Sequence, residues 1–324
     1  PSLLGPKRSR RLLAMEFSLQ VSGIYDDVLA AARWAEERGM ASVALPDHYL
    51  MARNPEQAAE VPAPDGFIQL AGLARDTERI GLSVIVSPIT FRHPAVLAKM
   101  AVTIDRMSGG RFGLGVGTGW LDKEHEVFGF PYPPMATRFA MLEDALAYIR
   151  AMLAPDASGY AGEFYTLEPF GISPQPIGPV PLIVGGTGKV KTPRLAGTYA
   201  DEYNAYPAPN DIFRAKVAAA HEAALTAGRD PDALLISSSG AVLAAPTQAE
   251  YAEKLAAQAA EAEMTEDELE AHFEHRNTPR GTYEQVAAFL ADMEAAGMRR
   301  FYLQLGADFD REETTNLLDA LARA

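Results

Sequence analysis

The chain has 324 residues, and 29 lysines and arginines against 43 aspartates and glutamates leave a formal charge of −14. That sign is wrong for neutralising the phosphates of a nucleic acid, and equally wrong for holding to an anionic membrane surface. Cysteine is absent, which removes disulfides, thiolate metal ligands and a thiol nucleophile, while a hydrophobic content of 48% supplies a large core and excludes disorder as a class.

No apolar run approaches the roughly 18 residues that a membrane-spanning helix needs. Residues 1–11 carry Lys7, Arg8, Arg10 and Arg11 without a long apolar stretch, so they read as a basic tail rather than a signal peptide, and a soluble, cytoplasmic protein is expected. From residue 12 onward strand and helix patterns alternate. A strand at 12–21 precedes a helix at 26–38, which Gly39 stops through its freedom at positive φ. A strand at 41–45 leads through a polar loop, 46–64, to a helix at 67–78. The third strand, 80–88, precedes a helix at 94–107 with Pro94 in its first turn, where a missing N–H costs nothing. The fourth, 111–116, precedes a helix at 137–153 with Leu142, Leu146, Ile149 and Leu153 in one apolar stripe.

The second half keeps the rhythm. Strands at 181–184, 202–205, 234–243 and 299–305 precede helices at 193–199, 212–227, 248–263 and 312–322, and a further helix at 283–296 leads into the last strand. Residues 264–280 read as an insertion whose helix, 265–275, opens with a capping box of Thr265 and Glu268. Eight strands each followed by a helix imply parallel pairing with right-handed crossovers. At this length the expectation is an α/β fold, a (β/α)8 TIM barrel formed by residues 12–324 as one domain, with inserted loops and a helix at its C-terminal face. An open doubly wound sheet with an added domain is the alternative.

Chemistry in such a barrel sits where the strands end. After the second strand stand Asp47 and His48, an acid beside an imidazole that can exchange a proton near neutral pH; a turn aspartate next to a hydrogen-bonded histidine is the plainer reading. After the third, Thr90 or His93 can cap the next helix and Arg92 can pair with an acid. The fourth strand alternates Phe112, Leu114 and Val116 with Gly113, Gly115 and Gly117, so one face is bare and admits either a neighbouring side chain or a ligand ring. It runs into Gly117, Thr118, Gly119 and Trp120, a glycine turn with an indole at the expected mouth.

After the fifth strand, Gly185, Gly186, Thr187, Gly188, Lys189 and Lys191 lead into a helix N-terminus and form an anion cradle, although a flexible turn with solvated lysines explains the same residues. The pattern is neither a Walker loop nor a dinucleotide fingerprint. His125 lies among Asp122, Glu124 and Glu126 but at no metal-ligand spacing, so no metal is expected; no Gly-x-Ser-x-Gly elbow occurs either.

Taken in order, residues 45–48, 87–94 with Lys99, 105–120, 181–188 on to Asn204, and 281–286 resemble the luciferase-like monooxygenase superfamily of flavin- and deazaflavin-dependent barrels, over roughly residues 16–305. The resemblance implies a flat tricyclic coenzyme at the barrel mouth and a non-prolyl cis peptide bond within 85–87. It also implies coenzyme contacts at Asp47, Val86, Ser87, Gly117, Thr118, Gly119 and Trp120, and a phosphate cradle at Gly185, Gly186, Thr187, Gly188, Lys189 and Lys191. His48 takes the proton-handling role, with Asp47 as its catalytic neighbour. One departure stands out: sugar-phosphate dehydrogenases of the deazaflavin branch carry an acidic glutamate directly after the glycine turn, where this chain has Trp120, which points to a less polar substrate. The expected function is F420-dependent hydride transfer to or from a small organic molecule. An FMN-dependent monooxygenase is the second reading, and a coenzyme-binding protein without catalysis the third. The resemblance further implies a homodimer, and the loops at 50–64 and 264–279 are expected to shape the substrate pocket.

Overall fold

The computed structural model describes residues 15–51, 63–156 and 158–323. The basic tail at 1–11, the first residues of the expected strand at 12–21, and most of the loop at 50–64 lie outside the described residues.

The chain opens with β1 (Glu16–Ser22), α1 (Tyr25–Glu37), β2 (Ser42–Leu45), α2 (Gly66–Asp76), β3 (Gly81–Pro88), α3 (Pro94–Ser108) and β4 (Phe112–Gly117). A short helix, α4 (Asp122–Phe128), precedes α5 (Met135–Leu153) and a hairpin of β5 (Tyr160–Ala161) and β6 (Thr166–Leu167). Then come β7 (Leu182–Gly186), α6 (Lys191–Tyr199), β8 (Glu202–Ala205), α7 (Asn210–Thr226) and β9 (Leu235–Gly240). The chain ends with β10 (Leu243–Ala245), α8 (Gln248–Glu261), α9 (Glu266–Arg276), β11 (Arg280–Thr282), α10 (Tyr283–Ala295), β12 (Arg300–Gly306) and α11 (Arg311–Arg323).

Eight of these strands close a parallel barrel in the order β1-β12-β9-β8-β7-β4-β3-β2, and β1 pairs with both β2 and β12 to complete the ring. Closure leaves no sheet edge, and every strand faces the barrel interior on one side and helices on the other. The helices pay in small residues for close approach: α1 turns Val28, Ala31, Ala32 and Ala35 inward, and Gly197 of α6 comes so near α7 that a Cβ there would lie 2.0 Å from the Ala220 carbonyl oxygen.

The expected strand at 234–243 is two strands. β9 stays in the barrel, whereas β10 leaves it and pairs in parallel with β11, Leu243 opposite Arg280. Between them α8 and α9 pack through their own cluster of Tyr251, Leu255, Ala259, Leu269 and Phe273, apart from the main core. The capping box of Thr265 and Glu268 opens α9 as the sequence suggests. The hairpin β5–β6 and helix α4 are additions the periodicity did not reveal, since two-residue strands and a seven-residue helix are too short to show a repeat. The hairpin hangs on buried Asp144 of α5, which accepts from Tyr165 N at 3.1 Å, from Phe164 N and from the Tyr160 hydroxyl.

At the N-terminal end of the strands the barrel is plugged by charge. Arg300 reaches Glu16 at 2.7 Å and Glu202 at 2.8 Å, and the buried Tyr302 hydroxyl donates to Glu202 at 3.0 Å. Burial pushes the Glu202 carboxyl upward and the Arg300 guanidinium opposes it. This end supports the fold; the other carries the loops.

Candidate active site at the barrel mouth

The mouth is shaped first by β3. The Ile85–Val86 peptide bond is cis, inside the window expected from the sequence, and the register between β3 and β4 shifts between Val84 and Ser87. Val86 therefore lies across the glycines of its neighbours. A Cβ on Gly115 would sit 2.0 Å from the Val84 carbonyl oxygen, one on Gly117 2.8 Å from Val86 Cγ2, and one on Gly185 2.8 Å from Val86 Cγ1. Of the two readings open for the bare face of β4, the structure thus fills it with a neighbouring side chain. The glycines admit Val86, and half-buried Val86 itself becomes an apolar hump at the mouth.

Asp47 and His48 follow β2 but belong to different networks. Asp47 is fully buried; it accepts the Ser87 hydroxyl at 2.6 Å and Arg92 Nη1 and Nη2 at 2.5 and 3.3 Å. Arg92 also holds Asp65 at 2.7 Å, donates to the Tyr49 hydroxyl, and lies 4.9 Å from the Phe67 ring centroid. Burial drives the Asp47 carboxyl upward against the pull of Arg92, and drives the Tyr49 hydroxyl above its ordinary range. Both Asp47 oxygens are thus engaged within the protein, by Ser87 and Arg92.

His48 turns the other way. Its Nδ1 is 2.9 Å from Glu124 Oε1, and the second oxygen of that carboxylate accepts from Tyr49 N at 3.1 Å. Glu124 is fully buried. On its other side the imidazole meets the Trp120 indole edge-on, centroids 5.6 Å apart at 77°, and Trp120 is 59% exposed at the rim.

Two further residues hold this arrangement. Arg138 of α5, almost fully buried, donates to the carbonyl oxygens of Thr118 at 3.2 Å and Gly119 at 2.5 Å while its guanidinium lies 3.8 Å over the Tyr132 ring. Gly119 takes φ 75°, a left-handed turn that brings Pro88 within 3.2 Å of where a Cβ would stand. Buried His125 donates from Nδ1 to the Leu121 carbonyl at 2.8 Å and accepts the Thr90 hydroxyl at Nε2, 2.6 Å away, so it ties α4 to the loop after β3. His93 caps α3, its Nδ1 accepting from Ala95 N at 3.1 Å.

Across the mouth, Gly185, Gly186 and Gly188 lead to the start of α6, where Val190 provides no side-chain cap. Thr187, Lys189 and Lys191 are exposed. A Cβ on Gly188 would lie 2.4 Å from Thr192 Oγ1, so the loop is pressed against its own helix. Lys216 of α7 is 4% exposed and makes no hydrogen bond or ion pair among the described residues. Burial and the neighbouring charge of Lys189 push its ammonium below the ordinary lysine range. Glu124, Arg138 and Lys216 carry no sequence signal of a site: each comes from a helix, and only the closing of the barrel brings them to the loops.

With the geometry in view the relationships are plain. The luciferase-like monooxygenase family model matches residues 12–313, and the chain belongs to that family. It is 33% identical over 179 residues to the pyrimidine monooxygenase RutA of Allorhizobium ampelinum, covering 53% of this chain and 48% of that one. It is 36% identical over 171 residues to an F420-dependent glucose-6-phosphate dehydrogenase of Microbacterium testaceum, covering 52% and 49%. These alignments span about half the length of the curated relatives. Among solved structures, an F420-dependent secondary alcohol dehydrogenase in complex with an F420–acetone adduct superposes with a TM-score of 0.77 at 20% identity, over 95% of this chain and 99% of that one. The monooxygenase RslO1 from Streptomyces bottropensis superposes at 0.76 and 23% identity, over 95% and 98%. The relatives matched thus include both a monooxygenase and an F420-dependent dehydrogenase, within one family of luciferase-like proteins. None of its described helices is long and apolar enough to cross a membrane.

Proposed function

We propose that this chain is an F420-dependent oxidoreductase that moves a hydride between the deazaflavin and a small, weakly polar organic substrate. The observation that carries the proposal is an imidazole, His48, held by a buried carboxylate and an indole at a barrel mouth beside the apolar hump of Val86. The residues fit a flat, phosphate-bearing group. Val86 offers a surface for a ring, Thr118, Gly119 and Trp120 border it, and Gly185, Gly186, Thr187, Gly188, Lys189 and Lys191 would hold its phosphate, with the buried Lys216 within the electrostatic reach of Lys189. When bound, the deazaflavin supplies a two-electron hydride couple that does not readily activate oxygen. His48 holds or takes the proton that accompanies hydride transfer, Asp47 fixes the turn through Ser87 and Arg92, and Trp120 shields the site from water.

The similarity to a pyrimidine monooxygenase supports the second reading, FMN-dependent monooxygenation, through the same residues. Anaerobic titration of the apoprotein with F420 and, separately, with FMN, followed by fluorescence, tests the choice. Micromolar or tighter binding of F420 alone is expected. Preference for FMN, with oxygen uptake on reduction, would transfer the protein to the monooxygenases, and binding of neither would remove the coenzyme site. A homodimer is part of the same proposal, read out by sedimentation.

Lys216 supplies a prediction of its own. A lysine held below its ordinary pKa in the folded state binds fewer protons there than in the unfolded chain, so stability rises with pH through the interval below the ordinary lysine value. An anion bound beside it removes that penalty. Lys216→Met is therefore expected to raise the melting temperature of the coenzyme-free protein by about 2 °C or more, to flatten the rise between neutral and alkaline pH, and to weaken coenzyme binding about tenfold. Unchanged affinity in the methionine variant would place the anion elsewhere.

A further inference from the structure

We infer that Glu124 is the positioning residue that fixes the tautomer of His48, leaving Nε2 as the atom at which the proton arrives and leaves. The inference rests on the proposed proton-handling role of His48 and adds to it which nitrogen acts and what holds it.

An ionised carboxylate only accepts hydrogen bonds. Glu124 receives two from the same turn: one oxygen lies 2.9 Å from His48 Nδ1 and the other accepts from Tyr49 N at 3.1 Å. The Nδ1 proton is therefore committed to Glu124, and Nε2 is the nitrogen with a free lone pair in the neutral ring. A proton taken up at Nε2 leaves an imidazolium whose positive charge faces the buried carboxylate, and its departure restores the same tautomer. The second hydrogen bond, to the backbone following His48, prevents the imidazole and its own turn from shifting independently.

The carboxylate is itself held firmly. The residue after it, His125, is bonded at both nitrogens, to Leu121 O within α4 and to Thr90 in the loop after β3. Arg138 grips the carbonyls of Thr118 and Glu124's preceding turn at Gly119. The Trp120 ring closes the open flank of the imidazole. Asp47, one residue from His48, is not a competing partner, because Ser87 and Arg92 occupy its oxygens. Glu124 stands four residues after Trp120, so one short segment brings both the indole and the carboxylate to the histidine.

The test is nitrogen NMR of the coenzyme-free protein labelled at its six histidines, with His48→Asn identifying the His48 signals. The wild type is expected to carry its proton on Nδ1 when neutral; protonation on Nε2 alone overturns the inference without recourse to any variant. Glu124→Gln keeps the shape but must give its oxygen to Tyr49 N and its amide N–H to Nδ1, so the His48 tautomer is expected to invert. Turnover should then fall by about 10²- to 10⁴-fold at nearly constant coenzyme affinity, as expected for a base held in the wrong tautomer. A variant that keeps the wild-type tautomer overturns the positioning role. Inversion with undiminished turnover leaves Glu124 as the positioning residue and overturns the proton-handling role of His48 instead, so the two readings fail separately.

Discussion

His48→Ala is expected to lower turnover by about 10²- to 10⁴-fold, the usual contribution of a positioned acid or base, while the dissociation constant for coenzyme changes little. The separation follows from where the ring sits. Its nitrogen is bonded to Glu124 and its edge to Trp120, whereas the surfaces offered to a coenzyme ring and phosphate come from Val86, the turn after β4 and the loop after β7. Alanine also strips one of the two donors from a buried carboxylate, which costs about 1–3 kcal/mol of stability. His48→Asn, which can still offer Glu124 an N–H, should lose turnover with less of that penalty. The comparison needs kcat on the best member of a panel of ketones, enones and alcohols, together with coenzyme binding by fluorescence. Parallel loss of turnover and coenzyme affinity in both variants would remove His48 from the chemistry and make it part of the binding surface.

Gly115→Ala is expected to be among the most damaging single changes in the barrel. The new methyl would stand 2.0 Å from the Val84 carbonyl oxygen, a backbone atom of the paired strand, and 3.0 Å from Val86. No rotamer relieves that contact, so β3 and β4 must part where they carry the mouth. A cost of about 3 kcal/mol or more, and a fall in melting temperature of about 6 °C or more, is expected. Gly113→Ala, two residues earlier on the same face, would place its methyl no nearer than 3.4 Å to the end of the Ile183 side chain, with Ser83 Cβ at 3.7 Å and the Pro181 carbonyl oxygen at 3.8 Å, and should melt within about 2 °C of the parent. Equal melting of the two variants would show that the close apposition of β3 and β4 at Gly115 is absent in solution.

The pair Asp47 and His48 shows where sequence reasoning reaches and where it stops. Their place at the end of β2 was legible, because a short apolar run followed by a proline and two ionisable residues has one sensible reading in an alternating β/α chain. That they point into separate networks was not. Ser87 and Arg92 lie about 40 residues away from Asp47, and Glu124 lies 76 residues from His48. Helix α4, at seven residues, is too short to announce itself by periodicity, so nothing in the chain's pattern set Glu124 apart from Asp122 or Glu126. Lys216 is hidden for a similar reason: a lysine within a helix reads as surface until the folded chain buries it.

By itself, then, the sequence determined the alternation of strands and helices, the eightfold barrel and the loops that border its mouth, because periodicity, glycine stops and helix caps act over a few residues and need no distant partner. It also carried the glycine face of β4, though not its occupant. Closure of the barrel is what sets Val86 against Gly115 and Gly117, sends β10 out to β11, buries Asp47 against Arg92 and brings Glu124 to His48. Each of these depends on chain segments that meet only when the ring of strands closes, and hydrogen bonds and desolvation are set by that meeting rather than by local order.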